Sequence, residues 1–150
     1  VLFRSMLALS RSLADYLAPS LPNVSFYADP NQQGTASRAL FLRQTNARIT
    51  SQVGGRFLRR LGLDLVYLEQ LNSVDAETRL QAAADVLDQR METFPYSSGE
   101  EKAVLLRTYE RHWEIMDSTL HYKFDLQLWL TYQEDAALMM SIEELNMEVV

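Results

Sequence analysis

The chain has 150 residues, 47% of them hydrophobic and 23% charged, with 20 acidic against 14 basic side chains and a net charge of −6. That length suits one domain with a single core, and the acidic balance argues against a reader of DNA sequence, which needs a basic face. The lack of cysteine removes disulfides, thiolate metal sites and thiol catalysis, and no apolar run approaches the roughly 20 residues of a membrane span.

The opening residues Val1-Leu2-Phe3-Arg4-Ser5 are too short, and in the wrong order of regions, for a signal peptide, so the chain reads as made in the cytoplasm. Met6 to Leu17 places Leu9, Leu13 and Tyr16 or Leu17 at helical spacing, and Pro19 and Pro22 end that helix. Val24 to Tyr27 reads as a short strand, and Asp29 to Ser37 as a polar loop. Arg38 to Asn46 reads as a strand with Leu40 and Leu42 on one face and Phe41 on the other. Ala47 to Arg56, with Gly54-Gly55, reads as a turn or extended loop before alternation resumes at Phe57, Leu61, Leu63, Leu65 and Tyr67. These two arms predict a hairpin whose tip carries Arg43, Arg48, Arg56, Arg59 and Arg60, a local basic excess on an acidic chain.

Ser73 opens a second predicted helix, with Asp75 and Glu77 at its positive end and a stripe of Leu80, Ala83, Ala84, Leu87 and Met91. Phe94-Pro95 stop it, and Pro95 to Glu101 reads as a polar loop. The clearest pattern follows. From Leu120, every second residue is apolar (Leu120, Tyr122, Phe124, Leu126, Leu128, Leu130, Tyr132), the mark of a strand with one buried face. The preceding arm, Ala103 to Met116, alternates less cleanly, and Asp117-Ser118 supply turn chemistry between the two. That turn sets Ile115 against Leu120, Trp113 against Tyr122, Glu114 against His121 and Tyr109 against Leu126. It also sets Glu110 against Asp125, which is either a local cost or the site of a bulge.

The last stretch, Ala136 to Val150, carries Leu138, Ile142, Leu145 and Val149 near helical spacing among Glu143, Glu144 and Glu148. It either folds back on its own core or docks on a neighbour, and Met139, Met140 and Met147 make it adaptable. The fold expected is α+β: an antiparallel or mixed sheet of two hairpins plus a short strand, two helices packed on one face, and an extended C-terminal arm. Residues 1–135 form the domain and 136–150 the interaction arm.

Catalytic chemistry is sparse. The two histidines, His112 and His121, could bind a metal or move protons with Glu114, but no third ligand stands at metal spacing, and cross-strand surface contacts are the favoured reading. Ser97-Ser98-Gly99 lacks the context of a nucleophile elbow, and no Gly-Lys-Ser/Thr follows Gly54-Gly55. No catalytic residue, metal site or cofactor is expected. The hairpin arginines could meet phosphate, but contact with acids of another subunit is favoured. Such a chain points to an assembly protein.

From Met6 onward the chain resembles the phage tail terminator proteins of prophages, tailed phages and tailocin-like particles. The resemblance rests on Asn23-Val24-Ser25-Phe26-Tyr27-Ala28-Asp29 after the first helix, Ala39-Leu40-Phe41-Leu42-Arg43, Arg59-Arg60-Leu61-Gly62-Leu63-Asp64-Leu65-Val66-Tyr67, Ala82-Ala83-Ala84-Asp85-Val86-Leu87, and the hairpin Trp113 to His121. Relatives often carry Asp-Gly-Val where this chain has Asp117-Ser118-Thr119, which leaves the turn type open. The resemblance implies a structural protein of the virion, made in the host cytoplasm, that forms a homo-hexameric ring on the head-proximal end of the tail tube. Such a ring stops tube and sheath polymerisation, meets neck or connector proteins, and lets genomic DNA pass through its lumen without specific binding. It has no membrane role.

Two interfaces follow as expectations: the arginines Arg43, Arg48, Arg56, Arg59 and Arg60, and the apolar positions Leu138, Ile142, Leu145 and Val149. The alternatives are a neck or head-completion adaptor and, from another class, a small metal-dependent hydrolase built on His112, His121 and Glu114.

Overall fold

A computed structural model describes residues 6–27, 38–69, 74–97, 99 and 102–131. In chain order they form α1 (Met6–Leu17), β1 (Ser25–Tyr27), β2 (Ala39–Ser51), β3 (Arg56–Leu68), α2 (Ala76–Arg90), β4 (Thr93–Tyr96), β5 (Val104–Met116) and β6 (Thr119–Thr131). The six strands make one mixed sheet in the order β1-β2-β3-β6-β5-β4. Only the β1–β2 pair is parallel; the others are antiparallel. The fold is α+β.

The alternation of β6 does what its period dictates. Leu120, Tyr122, Phe124, Leu126 and Leu128 are all buried, and they lie opposite Tyr67, Leu65, Leu63, Leu61 and Arg59 of β3. Leu40 and Leu42 of β2 continue the same face through their pairing with Tyr67 and Leu65. Leu9, Leu13 and Leu17 of α1 and Leu80, Ala83, Ala84 and Leu87 of α2 join these strand residues in a single core cluster. Each fully buried large side chain contributes on the order of 2 kcal/mol by leaving water. Polar bonds then fix the helices. The Tyr122 hydroxyl donates to Asp88 Oδ1 at 2.8 Å, Arg111 donates to the Asp88 carbonyl at 2.9 Å, and the Tyr16 hydroxyl donates to the Arg90 carbonyl at 2.7 Å.

Four sequence expectations are corrected. First, residues 47–56 are not a loop: β2 runs to Ser51, β3 starts at Arg56, and only the segment between them turns, with Gly54 and Gly55 at positive φ. A strand in water needs no apolar alternation, so Ala47 to Ser51 gave no strand pattern. Second, Phe94-Pro95 do not simply stop a helix. They belong to β4, which pairs with β5 at the sheet edge, where proline is tolerated.

Third, Tyr109 does not face Leu126; Thr108 does, and Tyr109 lies opposite Asp125. The register shifts between Tyr109 and His112, and Glu110 adopts a φ of 55°, so the predicted clash of Glu110 with Asp125 is resolved as a bulge. The extra residue reverses the parity of β5. Leu106 and Thr108 turn inward, while Leu105 stays 72% exposed. Fourth, the start of the second helix moves from Ser73 to Ala76. Beyond the bulge the expected pairs hold: Trp113 with Tyr122, Glu114 with His121, and Ile115 with Leu120. The turn type is now fixed as well. Asp117 and Ser118 both have positive φ, 51° and 59°, the backbone of a type I′ hairpin turn. The C-terminal stretch Ala136 to Val150 lies outside the described residues.

Candidate assembly interface

The hairpin β2–β3 changes character along its length. Up to Leu42 its first strand is buried; from Arg43 to Ser51 every residue is exposed. The change falls beside a second bulge, between Gln44 and Asn46. There the Asn46 side chain packs against Gly62, where a Cβ would come within 2.6 Å of Asn46 Nδ2, so a glycine is what the close approach permits. Beyond the bulge, β2 and the first half of β3 form an arm, with the C-terminal half of β6 paired along it as far as Arg56 opposite Thr131.

The five arginines expected at the hairpin tip do not act as one group. Arg43 sits near the base of the arm and reaches back to Asp64 at 3.3 Å. Arg60 is held between two carboxylates, Asp125 at 2.9 Å and Glu110 at 3.6 Å. Arg48, Arg56 and Arg59 have no ion pair among the described residues. Arg59 also buries its Nε without an acceptor among them. Arg48 stands directly opposite Arg60 in the ladder, a like-charge pair that destabilises the hairpin slightly.

Apolar groups are exposed on the same arm: Ile49 at 63%, Val53 at 94% at the turn, and Trp129 at 54% on the neighbouring β6. Trp129 pairs with Leu58, so it shares the sheet face of Arg48, Arg56 and Arg60 and lies across from the face that carries the core. The expected apolar interface positions Leu138, Ile142, Leu145 and Val149 lie outside the described residues.

The sheet also has two open edges among the described residues. β1 covers β2 only as far as Phe41, and β4 covers β5 only as far as Arg107. The remaining outer edges of β2 and β5 lie on opposite sides of the sheet. Backbone donors and acceptors left open in this way are templates for another chain.

The histidines are engaged separately. His121 Nδ1 lies 2.9 Å from Asp64 Oδ2, a carboxylate with no exposed surface whose Oδ1 has no partner among the described residues. His112 Nδ1 lies 3.0 Å from the carbonyl of Glu110. Glu114, the third member of the hypothetical metal site, takes Lys123 at 3.0 Å, and that hydrogen bond and charge hold its carboxyl below the usual range. Each of the three groups thus has its own separate partner, and no set of three metal-binding side chains gathers among the described residues.

Sequence reasoning missed two buried carboxylates. Asp64 organises Arg43 and His121 on the face away from the helices. Glu69 gathers Arg38 at 2.9 Å, the Tyr67 hydroxyl at 3.0 Å and Arg79 at 3.4 Å, tying the end of β3 to both β2 and α2. The signal for Asp64 was present, since it follows the apolar alternation of β3 on its opposite face. Nothing in the local sequence marks Glu69.

Comparison with known proteins supplies the decisive observation: the sequence model of a family described as phage tail terminator protein matches residues 9–137. This chain belongs to the phage tail terminator family. It is a structural protein of the phage tail, a component of the virion that associates with other tail proteins. The match runs from Leu9, within α1, through β6 and ends before Leu138. No curated protein matches the chain. No helix among the described residues is long and apolar enough to cross a membrane.

Proposed function

We propose that this terminator closes with copies of itself into a six-fold ring on the head-proximal end of the tail tube. There it stops addition of tube subunits and, in a contractile tail, of sheath, and it offers its outer surface to neck or connector proteins. Genomic DNA crosses the lumen without a specific site, consistent with a net charge of −6. The observation that carries this reading is a tail-terminator domain whose sheet, among the described residues, leaves strand edges open on both sides. Two different surfaces, one on each side of a subunit, are what head-to-tail association around a ring requires. The exposed arm, with Arg48, Arg56, Arg59, Ile49 and Val53, then meets a neighbouring subunit or the tube. The C-terminal residues Leu138, Ile142, Leu145 and Val149 also take part in contact between copies. No catalytic step is assigned.

The test is tail assembly with and without this protein, followed by electron microscopy. Tails of uniform length only in its presence, with ring density at one end, support the reading. Uniform tails in its absence overturn it and favour the neck adaptor.

A further inference from the structure

The charges of this chain are separated in a way its total conceals. Between Arg38 and Leu63 there is no acidic residue, and the arm holds Arg43, Arg48, Arg56, Arg59 and Arg60. Residues 132–150 hold Glu134, Asp135, Glu143, Glu144 and Glu148 and no basic residue, which accounts for most of the net charge of −6. The same stretch carries Leu138, Ile142, Leu145 and Val149. It is acidic and apolar in alternation.

The arm presents the complementary surface. On the face away from the helices, Leu58 and Trp129 stand side by side in one row of the ladder. Arg48 and Arg60 occupy the row on one side of them, and Arg56 the row on the other. Trp129 is 54% exposed, and neither Arg48 nor Arg56 has a carboxylate partner among the described residues. An apolar centre flanked by Arg48 and Arg56, whose guanidinium groups meet no carboxylate among the described residues, fits a segment that sets isoleucine and leucine beside glutamates at Ile142-Glu143 and Glu144-Leu145.

We propose that the C-terminal segment 132–150 of one copy docks on this face of the β2–β3 arm of a second copy. The inference rests on the reading that copies of this chain associate, and it names the contact they use. Geometry favours the neighbour over the chain's own arm. β6 runs toward the arm's turn and its last residue, Thr131, stands opposite Arg56, so residue 132 follows from the far end of the arm. Covering its own Trp129 demands a reversal within the few residues after Thr131, whereas a neighbouring copy can be met without one. Extended, the segment reaches roughly 60 Å, and as a helix about 28 Å, ample for an adjacent subunit.

Charge reversal in the full-length chain tests this. One variant carries Arg48→Glu and Arg56→Glu; the other carries Glu143→Lys, Glu144→Lys and Glu148→Lys. Sedimentation velocity is run on each alone, on an equimolar mixture and on the unaltered chain, with thermal melting to check folding. The unaltered chain associates, and more weakly as salt rises. Each variant alone associates about 100-fold more weakly or not at all, since like charges then face each other. The mixture regains association, because each variant now complements the other. Three results overturn the proposal. Variants that associate as the unaltered chain does remove the docking but leave the ring reading standing. A mixture that stays monomeric while the unaltered chain associates places the segment on its own arm or elsewhere. An unaltered chain that stays monomeric removes the contact between free copies, while the tail-length experiment still judges the terminator role separately.

Discussion

The two halves of the β2–β3 hairpin obey different rules although they share two strands. Near Leu40, Leu65 and Tyr67 every inward side chain is buried against the helices, and even the outward carboxylate Asp64 is sealed between Arg43 and His121. Past the bulge at Gln44 and Asn46 the same strands are exposed on β2, rich in arginine, and backed by apolar groups that nothing described covers. The first half spends its residues on folding. The second keeps residues that no described part of the fold engages, which is why the proposed contact is placed there.

Mutations in the body and the arm should therefore separate cleanly. The largest effect belongs to the body: Phe124→Ala, which empties a site with 1% exposure at the sheet centre, destabilises the fold by about 3–5 kcal/mol in denaturant unfolding. Asp64→Ala comes next, at about 2 kcal/mol, since the buried carboxylate vanishes but Arg43 and His121 keep access to water. Measuring Arg43→Ala alone, which leaves His121 in place, should give the smaller loss.

A pH dependence tests the same body by another route. Burial first, and then the hydrogen bond to Glu69, pushes the Tyr67 hydroxyl up to about 12; burial and the bond to Asp88 do the same for Tyr122. The folded state holds these protons more tightly than the unfolded chain, whose tyrosines ionise near pH 10. Their contribution is complete below about pH 10 and is lost as pH rises toward about 12. Unfolding midpoints measured from pH 8 upward should fall above pH 10, and less steeply in Tyr122→Phe.

A smaller effect of opposite sign is expected at the hairpin turn. Ser118 holds a φ of 59° that glycine adopts without strain, so Ser118→Gly should raise stability by about 0.5–1 kcal/mol in the same unfolding assay.

Much of the body was legible because burial writes itself as periodicity. The alternation of β6 and the stripes of α1 and α2 placed the core residues correctly, and the acidic clash of Glu110 with Asp125 marked the bulge. What failed to show was structure held by position rather than pattern. β4 is too short to alternate, and the water-facing end of β2 has no hydrophobic rhythm. The parity change in β5 moved Leu105 and Tyr109 off the face their spacing suggested. The arginines were legible as a group by charge alone. Their division into Arg43 and Arg60, engaged within the fold, and Arg48, Arg56 and Arg59, without an ion pair among the described residues, depends on carboxylates distant in sequence.

The most direct measurement combines both halves in one variant, Arg48→Glu with Arg56→Glu. It is assayed for thermal unfolding and for the length of tails assembled in its presence. The account predicts stability within about 0.5 kcal/mol of the unaltered chain, as for exposed sites generally, together with tails of irregular length. Tails of normal, uniform length from a stably folded variant would contradict it.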